Sequence, residues 1–309
     1  RRTAPPTAEF RAPMGIFIDV LVSGILLGGI YGLVSIGLNL IFGVIRVVNF
    51  AQGELVMLGM YGTVLVTSVL GIGPYWALLF VVPVLFVFGI GLQRFLLQPL
   101  QDEPSMQIFA TFGVLIVLEN AVLALTSGQA YSVTGPLSQT VLSLGGTKIP
   151  MTRLVVLIAC TVATVALVVF LRRTIAGKSI RAVIQDRKAA RLMGIDVERT
   201  YLLTFGLGAA LAGAAGVLLA PIYTLSPYIG GNFIVAAFAV VVLGGLGSVT
   251  GAYIGGFVVG LVEAFADYYV DPALKQAIWF LIFIAVLILR PSGLLGQVGA
   301  EEVGLRAQR

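Results

Sequence analysis

Residues 16–45 read "IFIDVLVSGILLGGIYGLVSIGLNLIFGVI", thirty positions with one charged side chain, Asp19. About 20 predominantly apolar residues carry a helix across a bilayer, so this run is long enough for a tilted span with a re-entrant piece attached. Further apolar runs follow at 50–70, 75–97, 106–127, 153–171, 201–221, 232–246, 251–267 and 276–290. Only 11% of the 309 residues are charged, against roughly 25% in a soluble domain, and the mean hydropathy is +1.04. Too few polar residues remain to coat a soluble core of this size. Membrane strands would show alternating segments of about ten residues, whereas these runs are continuous. The fold class is therefore all-α, a polytopic helical membrane protein with eight or nine crossings. The first run, and the short pair at 232–267 split by "GGLGSVTGAYIGG", are the places for a re-entrant or broken helix.

Lys and Arg in short loops mark the cytoplasmic side. One segment dominates, "RRTIAGKSIRAVIQDRKAARLMGIDVER" at 172–199, whose eight basic and three acidic residues leave a surplus equal to the chain's net charge of +5. With that segment inside, alternation puts 98–104 and the C-terminal tail 297–309 inside as well. The 128–150 loop and the acidic "DYYVDP" segment fall outside. The opening "RRTAPPTAEFRAP", residues 1–13, is polar and Pro-rich, and is expected to be a non-native or disordered tail before a natural start at Met14. Residues 14–296 then form a single transmembrane domain. Glycines at 24, 28 and 32, at 251 and 255, and at 256 and 260 each fall on one helix face, where they let another backbone come close.

Enzyme chemistry finds little support. There is no histidine, and the single cysteine, Cys160, sits in an apolar run. Glu54, Glu119 and Glu263 are scattered singly, so neither a metal cluster nor a carboxylate pair is expected. "GKS" at 177–179 resembles the end of a phosphate-binding loop, but position 172, where that loop needs Gly, is Arg. No catalytic residue, cofactor or metal site is assigned.

Against this apolar background "GVIRVVNFAQGEL", Gly43–Leu55, carries Arg46, Asn49, Gln52 and Glu54 within nine residues. Polar groups at membrane depth are costly, so they should face the bundle interior, a watery path or the membrane boundary. Two readings stay open: the four residues line a translocation path, or Arg46 and Glu54 snorkel or pair to hold a helix junction. In the basic segment, "SIRAVIQDRKAARLMGI" sets Ile180, Val183, Ile184, Ala190 and Met193 among charges. It reads as one short amphipathic helix stopped at Gly194, shaped to sit in a groove on another protein rather than on nucleic acid.

Four stretches together resemble the permeases of bacterial branched-chain amino-acid ABC transporters, the LivH type: "GGIYGLVSIGLNLIFGVIRVVNFAQGELVMLGMY", "SIRAVIQDRKAARLMGID", "GLGAALAGAAGVLLAP" and "VVVLGGLGSVTGAYIGGFVVGLVEA". The closing "LRPSGLLG" is similar, and the resemblance runs from about Ile16 to Gly296. It implies a bacterial cytoplasmic-membrane subunit working with a sister permease of the LivM type, two cytoplasmic ATPase subunits and an extracytoplasmic substrate-binding protein. "KAARLMG" looks like the ATPase-coupling segment of such permeases, which nominates Arg181, Asp186, Lys188, Ala189, Ala190 and Gly194, with Lys188 standing where an acid is common. Gln52 stands where the family's "NFAHGE" segment commonly has His, so any role there belongs to an amide. The expected function is import of branched-chain or similar aliphatic amino acids, with ATP hydrolysed on partner chains and none on this one. A urea or short-amide importer permease, and a stand-alone carrier or channel, are the alternatives.

Overall fold

The computed structural model describes residues 13–135, 137, 140–144, 147–289 and 293–295. All but Pro13 of the expected N-terminal tail, and the whole of the tail 297–309, lie outside them. Seven helical segments are long and apolar enough to cross a membrane. They are α1 (Pro13–Ile45), α2 (Gln52–Leu70), the segment Pro74–Leu100 containing α3 (Leu78–Gly91), α4 (Pro104–Thr126), α5 (Met151–Arg173), α8 (Val197–Leu219) and α10 (Val249–Tyr269). Two shorter apolar helices, α9 (Ile229–Gly244) and α11 (Lys275–Leu289), complete the nine runs seen in the sequence. The expected eight or nine crossings correspond to these seven long helices and two shorter ones among the described residues. At 1.5 Å per residue α9 is about 24 Å long, less than the roughly 30 Å of a hydrocarbon core.

The basic segment marks one end of the bundle. α5 runs down to Arg172 and Arg173, and α6 (Ile175–Gln185) and α7 (Arg187–Leu192) lie beyond it before α8 returns. The single amphipathic helix expected there is two helices. Asp186 adopts an extended conformation and its Oδ1 accepts hydrogen bonds from the Lys188 and Ala189 N–H groups, so it ends α6 and caps α7. Thr174 caps α6 in the same way through Gly177 N–H. Gly194 at φ +82° closes α7, a left-handed conformation that favours glycine. At the opposite end, the 128–150 segment holds a hairpin the sequence did not announce: β1 (Val141–Leu144) pairs antiparallel with β2 (Thr147–Pro150), Val141 opposite Pro150. Tyr131 bridges to Leu225 in the connection between α8 and α9, tying two loops together at that end.

α8 is the axis of the bundle, enclosed by α1, α2 and α3 along most of its length. Its glycines make this possible. A Cβ on Gly208 would collide with Ile41 of α1, one on Gly213 with Leu85 of α3, and one on Gly216 with the α2 backbone at Val56 and Gly59. α1 and α10 pack antiparallel along their length, Gly24 against Leu261, Gly28 against Phe257 and Gly32 against Tyr253, with Gly256 and Gly260 meeting the α1 backbone. Gly251 and Gly255 serve another contact, against Gly244 and Val240 of α9. With no hydrophobic driving force between helices in lipid, such close packing is what holds spans together.

"GGLGSVTG" proves to be a tight turn between α9 and α10. Asn39 of α1 reads it completely: its Nδ2 donates to the Gly245 and Ser248 carbonyls (3.3 and 2.7 Å), and its Oδ1 accepts from Gly247 N–H (2.6 Å). Ser248 Oγ then caps α10 through Gly251 N–H.

Gly256→Leu should drive a side chain into the backbone of Gly28 and Gly32 and destabilise the α1–α10 contact by at least about 1–3 kcal/mol. Thermal unfolding in detergent would show a lowered midpoint. Gly113→Leu on α4, where no atom lies within 4 Å of an added Cβ, should leave it unchanged, and equal midpoints for the two variants would count against this packing.

Candidate functional site

The site is built at the break between α1 and α2. Arg46 N–H closes the last turn of α1 on the Phe42 carbonyl, then Arg46 itself takes φ +64° and stops the helix. The chain re-enters the bundle through Val47–Ala51 instead of leaving it. Such a turn exposes backbone groups that lipid cannot satisfy, and the polar residues of the segment supply the partners. Asn49 Oδ1 accepts from Ala51 N–H, the Asn49 carbonyl accepts from Gln52 N–H, and Thr111 of α4 accepts from Phe50 N–H. Asn49 Nδ2 donates to Gln52 Oε1, and Gln52 Nε2 donates to the Gly208 carbonyl, both at 3.3 Å. Gly208 is the middle residue of α8, and Gly37 on α1 leaves room for the amide. Gln52 is therefore fully buried and fixed half-way along the axial helix.

Glu54 lies two residues further on and is 1% exposed. Its carboxylate rests against Gly230 in the first turn of α9, so close that a Cβ there would strike it, and Gly53 packs on the Gly230 carbonyl. The starts of α2 and α9 thus meet. Helix N-termini present partial positive charge, which favours a carboxylate placed there. Among the described residues Glu54 Oε2 has no hydrogen-bond partner.

Arg46 is elsewhere. Its side chain is exposed at the basic end and its Nη2 donates to the Ile184 carbonyl of α6 (3.2 Å). The Arg46–Glu54 pair considered from sequence does not form, because the break after Ile45 sends the two side chains in opposite directions. Asn49, Gln52 and Glu54 are brought together, and Arg46 joins a different cluster. With Arg172 and Arg181 it lines a cleft of about 380 Å³ between α1, α5, α6 and the α9–α10 turn.

The residues nominated for coupling divide by role. Asp186, Lys188, Ala189 and Gly194 shape the α6–α7 junction and its end, as described above. The apolar anchors expected to face a partner mostly serve this chain: Ile180, Val183 and Ala190 are buried in a cluster with Ile36, Leu40, Leu171 and Tyr201. Arg187 stacks over the Tyr201 ring at 5.2 Å. Left outside are Ile175, Leu192 and Met193, the last two 89% and 82% exposed.

Sequence reasoning missed a further cluster. Glu263, read as a lone acid, accepts a hydrogen bond from Tyr31 Oη (2.8 Å), and Lys275 Nζ lies 3.7 Å from it and 3.3 Å from Asp267. The Tyr31–Glu263 contact joins positions 232 apart, beyond any local pattern. The one legible signal was an acid inside an apolar run.

The family described as the branched-chain amino acid transport system permease component matches residues 20–287. LivH, the high-affinity branched-chain amino acid transport system permease protein of Escherichia coli K12, is 33% identical over 93% of this chain and 98% of its own length. BraD of Pseudomonas aeruginosa, a permease protein of the same description, is 32% identical over 93% and 98%. A probable LivH of Methanocaldococcus jannaschii is 32% identical over 90% and 92%. By the extent of both kinds of match, the chain belongs to the branched-chain amino acid transport system permease family.

Proposed function

We propose that the chain is the membrane-spanning permease subunit of an ABC importer in a bacterial cytoplasmic membrane. It would carry branched-chain or similar aliphatic amino acids inward, with a sister permease, two cytoplasmic ATPase subunits and an extracytoplasmic binding protein as partners. In this reading the basic end faces the cytoplasm, as the concentration of Lys and Arg in 172–199 requires.

The observation that carries the mechanism is the meeting of two helix starts, α2 and α9, around a buried carboxylate whose Oε2 has no hydrogen-bond partner among the described residues. Interrupted helices whose ends converge inside a bundle are how membrane transporters place polar groups beside a path. Asn49 and Gln52 act as the fixed frame, pinned to α8, and Glu54 as the group that meets the passing solute.

A hydrogen bond and a short stretch of chain together offer a route from the ATPase side to the path. α6 holds Arg46 through the Ile184 carbonyl, and Arg46 is three residues from Asn49 along the re-entrant segment. A displacement of α6 by ATPase closure would pull on the frame that positions Gln52. The exposed Ile175, Leu192 and Met193 supply apolar contacts for a groove on the ATPase, and the burial of Ile180 and Val183 makes the α6 surface rigid enough to transmit a push.

Cells lacking their own leucine importers should accumulate labelled leucine when given this chain with its partners, and excess isoleucine or valine should compete. Competition by urea or acetamide and none by valine would overturn the cargo assignment. Glu54→Gln keeps the side-chain shape and removes an unpaired charge, so the complex should assemble normally while uptake falls at least tenfold. Normal uptake in this variant would reduce Glu54 to a structural residue. Adding Arg46→Ala should not restore it, since the two share no contact. Gln52→Ala removes two buried amide contacts and should cost about 1–3 kcal/mol of stability through partners left unsatisfied.

Leu192→Asp with Met193→Asp should lower ATPase co-purification at least fivefold while the permease inserts normally, because both residues are exposed and fold-neutral. Unchanged co-purification would remove this surface from the docking site.

A further inference from the structure

At the end of the bundle away from the basic segment, α1, α10, α11 and the start of α5 enclose a cavity of about 730 Å³. Asp19, Arg153, Glu263, Asp267 and Lys275 line it, among aliphatic residues that include Leu26 and Ile30. A second cavity of about 400 Å³ continues from it, since Tyr223, Glu263 and Lys275 line both, and Asn232, Gln276 and Trp279 line the second. Five charged residues around one chamber is a large share for so apolar a chain.

Glu263 and Lys275 meet only loosely. Glu263, 8% exposed, is held on one side by the Tyr31 hydroxyl at Oε2. Its other oxygen, Oε1, meets Lys275 only at 3.7 Å, and the Lys275 side chain is 35% exposed. Lys275 Nζ lies closer to Asp267, at 3.3 Å, so it keeps an acidic partner when a ligand takes Glu263 Oε1. In the second cavity the Trp279 indole N–H is buried with no acceptor among the described residues. Buried donors are rarely left so without a role or a missing partner.

A ligand that completes this chamber must bring an ammonium for Glu263 Oε1 and a carboxylate for the cations released or already present. It must also bring a hydrocarbon side chain for the aliphatic wall. We infer that the chamber holds an aliphatic α-amino acid by both of its charged groups. The ammonium takes the place of Lys275 Nζ on Glu263, and the carboxylate goes to Lys275 and Arg153. A zwitterion uses both signs of charge present on the wall, Glu263 for its ammonium and Lys275 with Arg153 for its carboxylate, whereas an amine or a carboxylic acid alone engages only one of them. This assignment rests on the transport reading above and places a holding site on the outer side of the path.

Ser23→Cys puts a thiol on the chamber wall, and the single native cysteine, Cys160, is buried. In the assembled permease–ATPase complex, with the binding protein withheld, a membrane-impermeant thiol reagent should label this position. Saturating L-leucine should slow labelling at least fivefold. 3-Methylbutylamine and 4-methylpentanoate, which each carry one of the two charged groups, should not. Adding Glu263→Gln should abolish the protection, and Glu263→Asp should retain part of it, which separates loss of charge from loss of fold. Absence of slowing by leucine, equal slowing by the amine alone, or protection that survives Glu263→Gln would each overturn the chamber. Leucine uptake by cells carrying Ser23→Cys is measured in parallel. Uptake without protection overturns the chamber and spares the transport reading, while protection without uptake does the reverse.

Discussion

A helix interrupted within a packed bundle must find partners for its backbone groups in the protein, and this constraint organises the whole molecule. Each unsatisfied backbone group in lipid costs several kcal/mol, so every break must bring its own donors and acceptors. The chain does this twice with side chains from sequence-distant or adjacent amides. Asn39 binds the α9–α10 turn through three hydrogen bonds, and Asn49 with Gln52 fastens the α1–α2 break to the middle of α8. Neutral amides suit the task because each offers both a donor and an acceptor and carries no charge to bury.

With the breaks secured, glycine decides how closely the helices can approach. Hydrogen-bonded turns fix where α2, α9 and α10 begin, but the contacts of Gly208, Gly213 and Gly216 bring the α8 axis against its neighbours. The two devices depend on each other. Gln52 reaches the Gly208 carbonyl only because Gly37 has no side chain in the way. Larger residues at either position would move the amide off its acceptor and leave the re-entrant segment unsatisfied.

Much of this was legible in the sequence, and what was not has physical reasons. All nine apolar runs became helices, since continuous hydrophobicity over such lengths has few other solutions. The glycine spacings on α1 and α10 named a real interface, because residues four apart share a face whatever the partner. The polar stretch at 46–54 was found by its cost in lipid, although its grouping was misjudged. Arg46 and Glu54 are close in sequence, but a left-handed residue between helices reverses the chain direction, and spacing cannot report that. Asp186 looked like one charge in an amphipathic helix. Its competing preference for capping the next helix splits the segment in two. The hairpin at 141–150 is short, and the Tyr31–Glu263 contact joins the two ends of the chain, so neither leaves a local pattern to read.

The two buried carboxylates show what the fold does with charge once the backbone is satisfied. Among the described residues Glu54 Oε2 has no hydrogen-bond partner, and the carboxylate lies at the converging starts of two helices, where partial positive charge is fixed in the backbone and cannot move away. Glu263 has a hydroxyl on one oxygen and, at 3.7 Å from the other, a lysine shared with Asp267, beside an open chamber. A fixed dipole suits a group that must stay put while a solute passes. An exchangeable ion suits a group that must accept a ligand's ammonium and later release it. If both carboxylates serve one amino acid, the difference in their surroundings orders them along its route: capture at Glu263 near the outer end, then passage beside Glu54, where no protein cation competes for the same charge.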